Sequence, residues 1–194
     1  MKPKLLLLGG LCISLVCTAV FADLKPGDNA PLFTAMASRS GKAFQYSLKR
    51  ALSRGPVVVY FYPSAYTRGC DIEAHTFSAN IHKFKAAGAS VVGVSLDSIE
   101  RLNDFSKDPN YCAGNFPVAS DPDGQIAKSY DLMVHASVAG AKDTRGVEIG
   151  HGFAERTTFI VAPDGTIAAT VGGVAPAENV NKSLAAVQEL ATKH

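Results

Sequence analysis

The chain has too few cysteines to be a disulfide-stapled scaffold. Four occur in 194 residues, and Cys12 and Cys17 fall in an N-terminal segment that reads as a removable leader. That leaves Cys70 and Cys112 in the body of the protein. Small secreted domains that depend on disulfides carry several bridges, so such a pair is either reactive or incidental. An excess of charge of one sign is missing too. The first 22 residues hold Lys2 and Lys4 and no acid, which leaves 17 basic residues against 17 acidic ones beyond them. A balanced domain has no electrostatic reason to bind nucleic acid or an anionic membrane. Also absent are internal repeats, low-complexity tracts and any pair of cysteines two residues apart.

No apolar run is long enough to span a bilayer comfortably. The best is Leu5 to Val20, which is short for a span, holds Gly9 and Gly10, and has no basic cluster after it. Met1-Lys-Pro-Lys4 in front of it and Phe21-Ala22 behind it make residues 1–22 a secretory signal peptide, cut after Ala22. Leu11 and Val16 stand before Cys12 and Cys17, where a lipid anchor would need a small residue. The expected location is therefore periplasmic or secreted, with no stable membrane association after cleavage. Residues 23–194 are long enough for one domain with its own core.

Strand-like and helix-like segments alternate along that domain. Val57 to Tyr62 is β-branched and aromatic behind Gly55-Pro56, the pattern of a buried strand. Asp71 to Ala87 carries Ala74, Phe77, Ile81 and Phe84 at helical spacing and stops at Gly88. A second buried strand spans Ser90 to Leu96, followed by a helix from Ser98 to Phe105, capped by Asp97 or Ser98. Next come a short strand at Phe116–Ala119 and a short helix from Gln125 to Leu132. Two strands flank Pro163-Asp-Gly165, and a last helix opens near Pro176. The entry, Asp23 to Arg54, reads as an extra N-terminal hairpin and a helical turn. Met133 to Ala154 has several glycines, scattered charges and no period, and reads as a long surface loop near the site. The whole is an α/β protein with a mixed central sheet flanked by helices, the thioredoxin-like arrangement.

Cys70 closes the segment Tyr62-Pro-Ser-Ala-Tyr-Thr-Arg-Gly-Cys70, where the first strand hands over to the helix. An ordinary thiol is mostly protonated at neutral pH and becomes a good nucleophile only as thiolate. Free N–H groups at the helix start, the Thr67 hydroxyl and the Arg68 cation are all expected to lower its pKa. Pro63 would stiffen the turn and shield the sulfur from water.

Pro63, Thr67 and Cys70 resemble the signature of the peroxiredoxins position for position. Leu24 to Phe33 resembles the opening stretch of that family, and Glu155-Arg156 to Gly165 its late strand with an active-site arginine. The spacing in Gly69-Cys70-Asp-Ile-Glu73 is most similar to the bacterioferritin comigratory protein, or peroxiredoxin Q, group. The resemblance implies that Cys70 attacks a hydroperoxide, that Thr67 holds the peroxide, and that Arg156 stabilises thiolate and leaving oxygen. It implies Glu73 as the residue that orients Arg156, and neither a cofactor nor a metal. A thioredoxin-like reductant, here an exported one, would complete the cycle, and the protein would be a monomer or a weak dimer.

One departure stands out. Where many members of the group carry a resolving cysteine five residues after the first, this chain has His75, which reads as an exposed helix residue. Cys112 is the remaining candidate to resolve the sulfenic acid as a Cys70–Cys112 disulfide. Pro109 would break the helix before Cys112 and leave it on a looser segment. The alternatives are a one-cysteine peroxidase resolved by an external thiol, and a thiol–disulfide oxidoreductase of the same fold. A copper-binding module using Cys70, His75 and Cys112, and a catalytically dead binding domain, are further readings.

Overall fold

A computed structural model describes residues 24–193. The leader expected at residues 1–22 lies outside them. Among the described residues no helix is long and apolar enough to cross a membrane.

Strand β3, Val57–Phe61, is buried at every position. A strand apolar on both faces belongs in the middle of a covered sheet. Its alternate side chains confirm this: Val58 and Tyr60 enter one core cluster, while Val57, Val59 and Phe61 enter the other. Around it lie β1 (Thr34–Arg39), β2 (Lys42–Ser47), β4 (Ser90–Ser95), β5 (Val118–Ser120), β8 (Thr157–Val161) and β9 (Ile167–Gly172). The seven strands are ordered β2-β1-β5-β4-β3-β8-β9. β3, β4 and β5 run parallel, and the neighbouring pairs on either side of them are antiparallel.

Parallel neighbours need crossovers, supplied by helix α2 (Arg68–Ala86) between β3 and β4 and by α3 (Ile99–Lys107) between β4 and β5. Helix α5 (Pro176–Thr192) packs beside α2, so that Phe77, Phe84, Phe105, Val180 and Val187 share one core with β3. The short helices α1 (Leu48–Leu52) and α4 (Gln125–Ser129) cover the opposite face with Leu48, Ala51 and Ala127. This is the mixed, helix-flanked thioredoxin-like sheet, and the entry segment supplies the extra hairpin β1–β2. Its turn, Ser40-Gly41, takes φ values of 53° and 76°, as a tight two-residue hairpin turn requires.

Three boundaries differ from expectation. Helix α2 begins at Arg68, so Cys70 lies inside its first turn rather than ahead of it. Helix α3 ends at Lys107, two residues before Pro109, and its N-cap is Ser98, whose hydroxyl accepts the Arg101 N–H. Asp97 does other work. The stretch from 133 to 154 is not wholly irregular: β6 (Val134–His135) pairs with β7 (Phe153–Ala154) and closes its base. Between them the segment is anchored by polar contacts to the turn that precedes Cys70, which explains why it carries no apolar period.

Candidate active site

Three segments meet at the Cys70 sulfur: the turn after β3, the first turn of α2, and the link between β7 and β8 that carries Arg156. Thr67 is the N-cap of α2 by its extended backbone, yet its side chain does not cap the helix. Instead its hydroxyl donates to the Ser64 carbonyl at 2.8 Å. That single proton cannot also bond the sulfur, but it lies close enough to favour a thiolate and can turn to it when charge appears. The Ser64 backbone also favours the charged form of the sulfur.

Arg156 Nη2 donates to Cys70 Sγ at 3.3 Å, while Nη1 bonds Glu73 Oε2. One guanidinium thus bridges the thiol and a carboxylate one helical turn further on. Gly69 makes room for it, since a Cβ at that position would stand 3.0 Å from Nη2. Glu73 is fully buried and its Oε1 has no partner within the protein. Burial pushes its pKa up to about 7, against the pull of Arg156. One cation is therefore shared between the Cys70 sulfur and a carboxyl whose ionisation has moved up to about 7.

The AhpC/TSA family model matches residues 26–170. The chain belongs to the AhpC/TSA family of peroxiredoxins. A Mycobacterium tuberculosis protein described as a candidate peroxiredoxin is 37% identical over 145 residues, 74% of this chain and 82% of the relative. The crystal structure of peroxidoxin BcpB from the same species superposes with a TM-score of 0.72 at 26% identity, covering 86% of this chain and 98% of the other. Peroxiredoxin Q of Xanthomonas campestris gives 0.64 at 30% identity, with 80% and 90% covered.

In this peroxiredoxin Thr67, Cys70, Glu73 and Arg156 lie together, and Pro63 stands in the turn before them. One expectation about their chemistry is reversed. Burial dominates at Cys70, whose residue is 1% exposed, and pushes the thiol above its ordinary pKa. Arg156, the Thr67 hydroxyl and the Ser64 backbone all pull the other way and offset part of that rise. Arg68 gives no help, since its side chain is exposed. The sulfur is thus a covered thiol with a built-in counter-ion, not a solvent-facing thiolate.

Cys112 is more deeply placed than a loose segment would leave it. It is fully buried, a free thiol like Cys70, and belongs to the same core cluster. Ala113 and Gly114, at φ 50° and 69°, form the turn that tucks it inward after the end of α3. Three contacts tie this turn to α2. His75 Nδ1 lies 2.9 Å from the Asn110 carbonyl, Ser78 Oγ donates to the Cys112 carbonyl at 3.3 Å, and Asn115 donates to Ser78 Oγ at 2.7 Å. His75 is exposed, as expected, and turned toward Asn110. Among the described residues no three His, Cys, Asp or Glu side chains converge as metal ligands, so Cys70, His75 and Cys112 do not form the copper set.

Sequence reasoning missed a polar cluster behind the site. Asp97, Arg101, Asp143 and His151 are joined by ion pairs. The available signal was an acid two residues beyond the largely buried β4, a position that a simple helix cap explains too easily.

Proposed function

We propose that Cys70 is the peroxide-reacting thiol and that Cys112 resolves its oxidised form. The observation that carries the first half is the Arg156 bridge, because a cation held by Glu73 beside a buried sulfur favours thiolate over thiol. The thiolate attacks one oxygen of a hydroperoxide in line. The S–O bond forms as the O–O bond breaks, and the departing oxygen takes a proton to leave as water or an alcohol. Sulfur is oxidised to a sulfenic acid and the peroxide is reduced. Arg156 faces the charge that grows on the departing oxygen, and Thr67 supplies a hydroxyl to hold the substrate.

In the second half, the Cys112 thiol displaces the sulfenic hydroxyl, giving a Cys70–Cys112 disulfide and water. Cys112 must leave its buried position for this, so the three contacts between its turn and α2 have to open. A thioredoxin-like dithiol then reduces the disulfide. If residues 1–22 are a signal peptide, that reductant is an exported one and the protein works in the periplasm or outside the cell.

Mass measurement after one equivalent of hydrogen peroxide tests the resolving step. The expected product is an intramolecular disulfide lighter than the reduced protein by two hydrogens. A persistent sulfenic acid in the unmodified chain would leave Cys112 without its role and favour the one-cysteine route.

A further inference from the structure

Behind the Cys70 turn lies a buried carboxylate that the proposed reaction does not use. Asp97 is 0% exposed and accepts four aimed hydrogen bonds. Ser64 Oγ donates to Oδ1 at 2.8 Å and the Ala65 N–H to Oδ2 at 2.8 Å. Ser95 Oγ donates to Oδ2 at 2.7 Å. The fourth partner is His151 Nε2, 2.9 Å from Oδ1. Arg101 adds an ion pair at 2.9 Å whose N–H is not aimed at the oxygen.

Two of these donors are the turn itself. Ser64 is also the residue whose carbonyl holds Thr67 and whose backbone favours the thiolate. The rest of the turn is gripped from the same side. Arg101 Nη2 donates to the Ala65 carbonyl at 2.8 Å and pairs with Asp143, and Thr144 donates to the Tyr66 carbonyl through both its N–H and its hydroxyl. The Arg145 guanidinium, bonded to Asp143, lies 3.3 Å above the Tyr66 ring. Tyr66 itself sits at φ 59°, a left-handed conformation costly for a residue with a side chain. A strained turn held by so many contacts is one whose geometry matters.

His151 fixes the charge state of this assembly. Its Nδ1 lies 2.7 Å from the Gly152 carbonyl and its Nε2 faces the Asp97 carboxylate. Both neighbours are acceptors, so a neutral ring would set a lone pair against one of them, and only the imidazolium satisfies both. Asp97 holds the proton on, while burial and Arg101 oppose it. The charged groups around the ring are Asp97 and Arg101, with Asp143 and Arg145 beyond Arg101.

We propose that Asp97 and the His151 imidazolium act as a latch that clamps the 133–154 segment over the Ser64–Tyr66 turn, making both positioning residues for the Cys70 sulfur. The proposal rests on the reading of Cys70 as the reactive thiol, but its test does not need peroxide. The Ser64 backbone and Thr67 hydroxyl favour the thiolate only while the turn is held. Releasing the latch therefore raises the pH at which Cys70 ionises.

The measurement is the pH dependence of iodoacetamide alkylation at Cys70, in a Cys112→Ser background where it is the remaining thiol beyond the leader. His151→Gln keeps a donor to Asp97 but no cation, and should move the ionisation upward by about one pH unit, or about tenfold less thiolate at neutral pH. Asp97→Asn should move it further. Val187→Ala, a core truncation in α5 remote from the turn, serves as a stability control and should lower the melting temperature without moving the ionisation. An unmoved ionisation in His151→Gln, with the protein folded, overturns the latch, as does an equal shift in Val187→Ala. If Asp97→Asn does not fold, His151→Gln alone decides. Failure of the wild type to consume peroxide would sink the peroxidase reading and leave this titration standing.

A second signature is kinetic. His151 is held above its ordinary pKa, so its share of the latch is present at lower pH and lost as pH rises through the raised value. The wild-type peroxide rate, which climbs with pH as Cys70 ionises, should therefore climb less steeply where His151 loses its proton, and that break in slope should be missing in His151→Gln. A wild-type profile that climbs as a single ionisation with no such break, identical in shape to that of His151→Gln, contradicts the proposal.

Discussion

Replacing Arg156 with methionine removes the cation from Cys70 while leaving an unbranched apolar stem in the same space. In the native site Nη2 stands 3.3 Å from Sγ. Two unit charges about that far apart interact by roughly 4–5 kcal/mol at the effective dielectric of a protein site. Burial of the guanidinium and its sharing with Glu73 return part of that, so a net loss of about 3 kcal/mol of thiolate stabilisation is the working figure. That raises the ionisation of Cys70 by about two units and cuts the thiolate at neutral pH about a hundredfold. Losing the donor to the departing oxygen costs about another tenfold to hundredfold. Stopped-flow consumption of hydrogen peroxide by the reduced variant should therefore be slower by about a thousandfold or more. Arg156→Lys keeps the charge but cannot bond sulfur and Glu73 together, and should recover only part of the rate. A loss of less than about tenfold in Arg156→Met would refute the assignment of the guanidinium to the thiolate.

Two more outcomes follow from the same bridge. Gly69→Ala adds a Cβ 3.0 Å from Nη2, so Arg156 must retreat, and the peroxide rate should fall about tenfold with little change in melting temperature. Glu73 has its folded pKa raised from 4.5 to about 7, so its contribution to stability is present below about pH 4.5 and is lost as pH rises to 7. Over that window the wild type should lose about 3 kcal/mol on this account, and Glu73→Gln should flatten the slope in denaturant titrations at pH 5 and pH 8.

The site was legible where local sequence carries the chemistry. Pro63, Thr67 and Cys70 lie within one turn at a strand-to-helix junction, and the apolar runs on either side fix that junction. Arg156 and Glu73 were legible through the likeness of their segments to a known family, since nothing local couples residues 83 apart. The direction of the Cys70 shift was not, because burial depends on distant segments: Phe105, Phe116 and Val180 belong to the same core cluster as Cys70. Cys112 was expected on a loose stretch after Pro109. The proline does stop α3, but a turn at Ala113-Gly114 folds the cysteine inward. The segment from 133 to 154 resisted reading for a different reason. It is held by Asp143, Thr144 and His151 rather than by an apolar stripe, and ion pairs leave no periodic trace.

The account stands most directly on rapid mixing of the fully reduced protein with one equivalent of hydrogen peroxide. It predicts fast loss of one thiol, located at Cys70 by mass spectrometry, and no such phase in Cys70→Ser. A slow, nonspecific loss, or the same fast phase with Cys70 replaced, would contradict it.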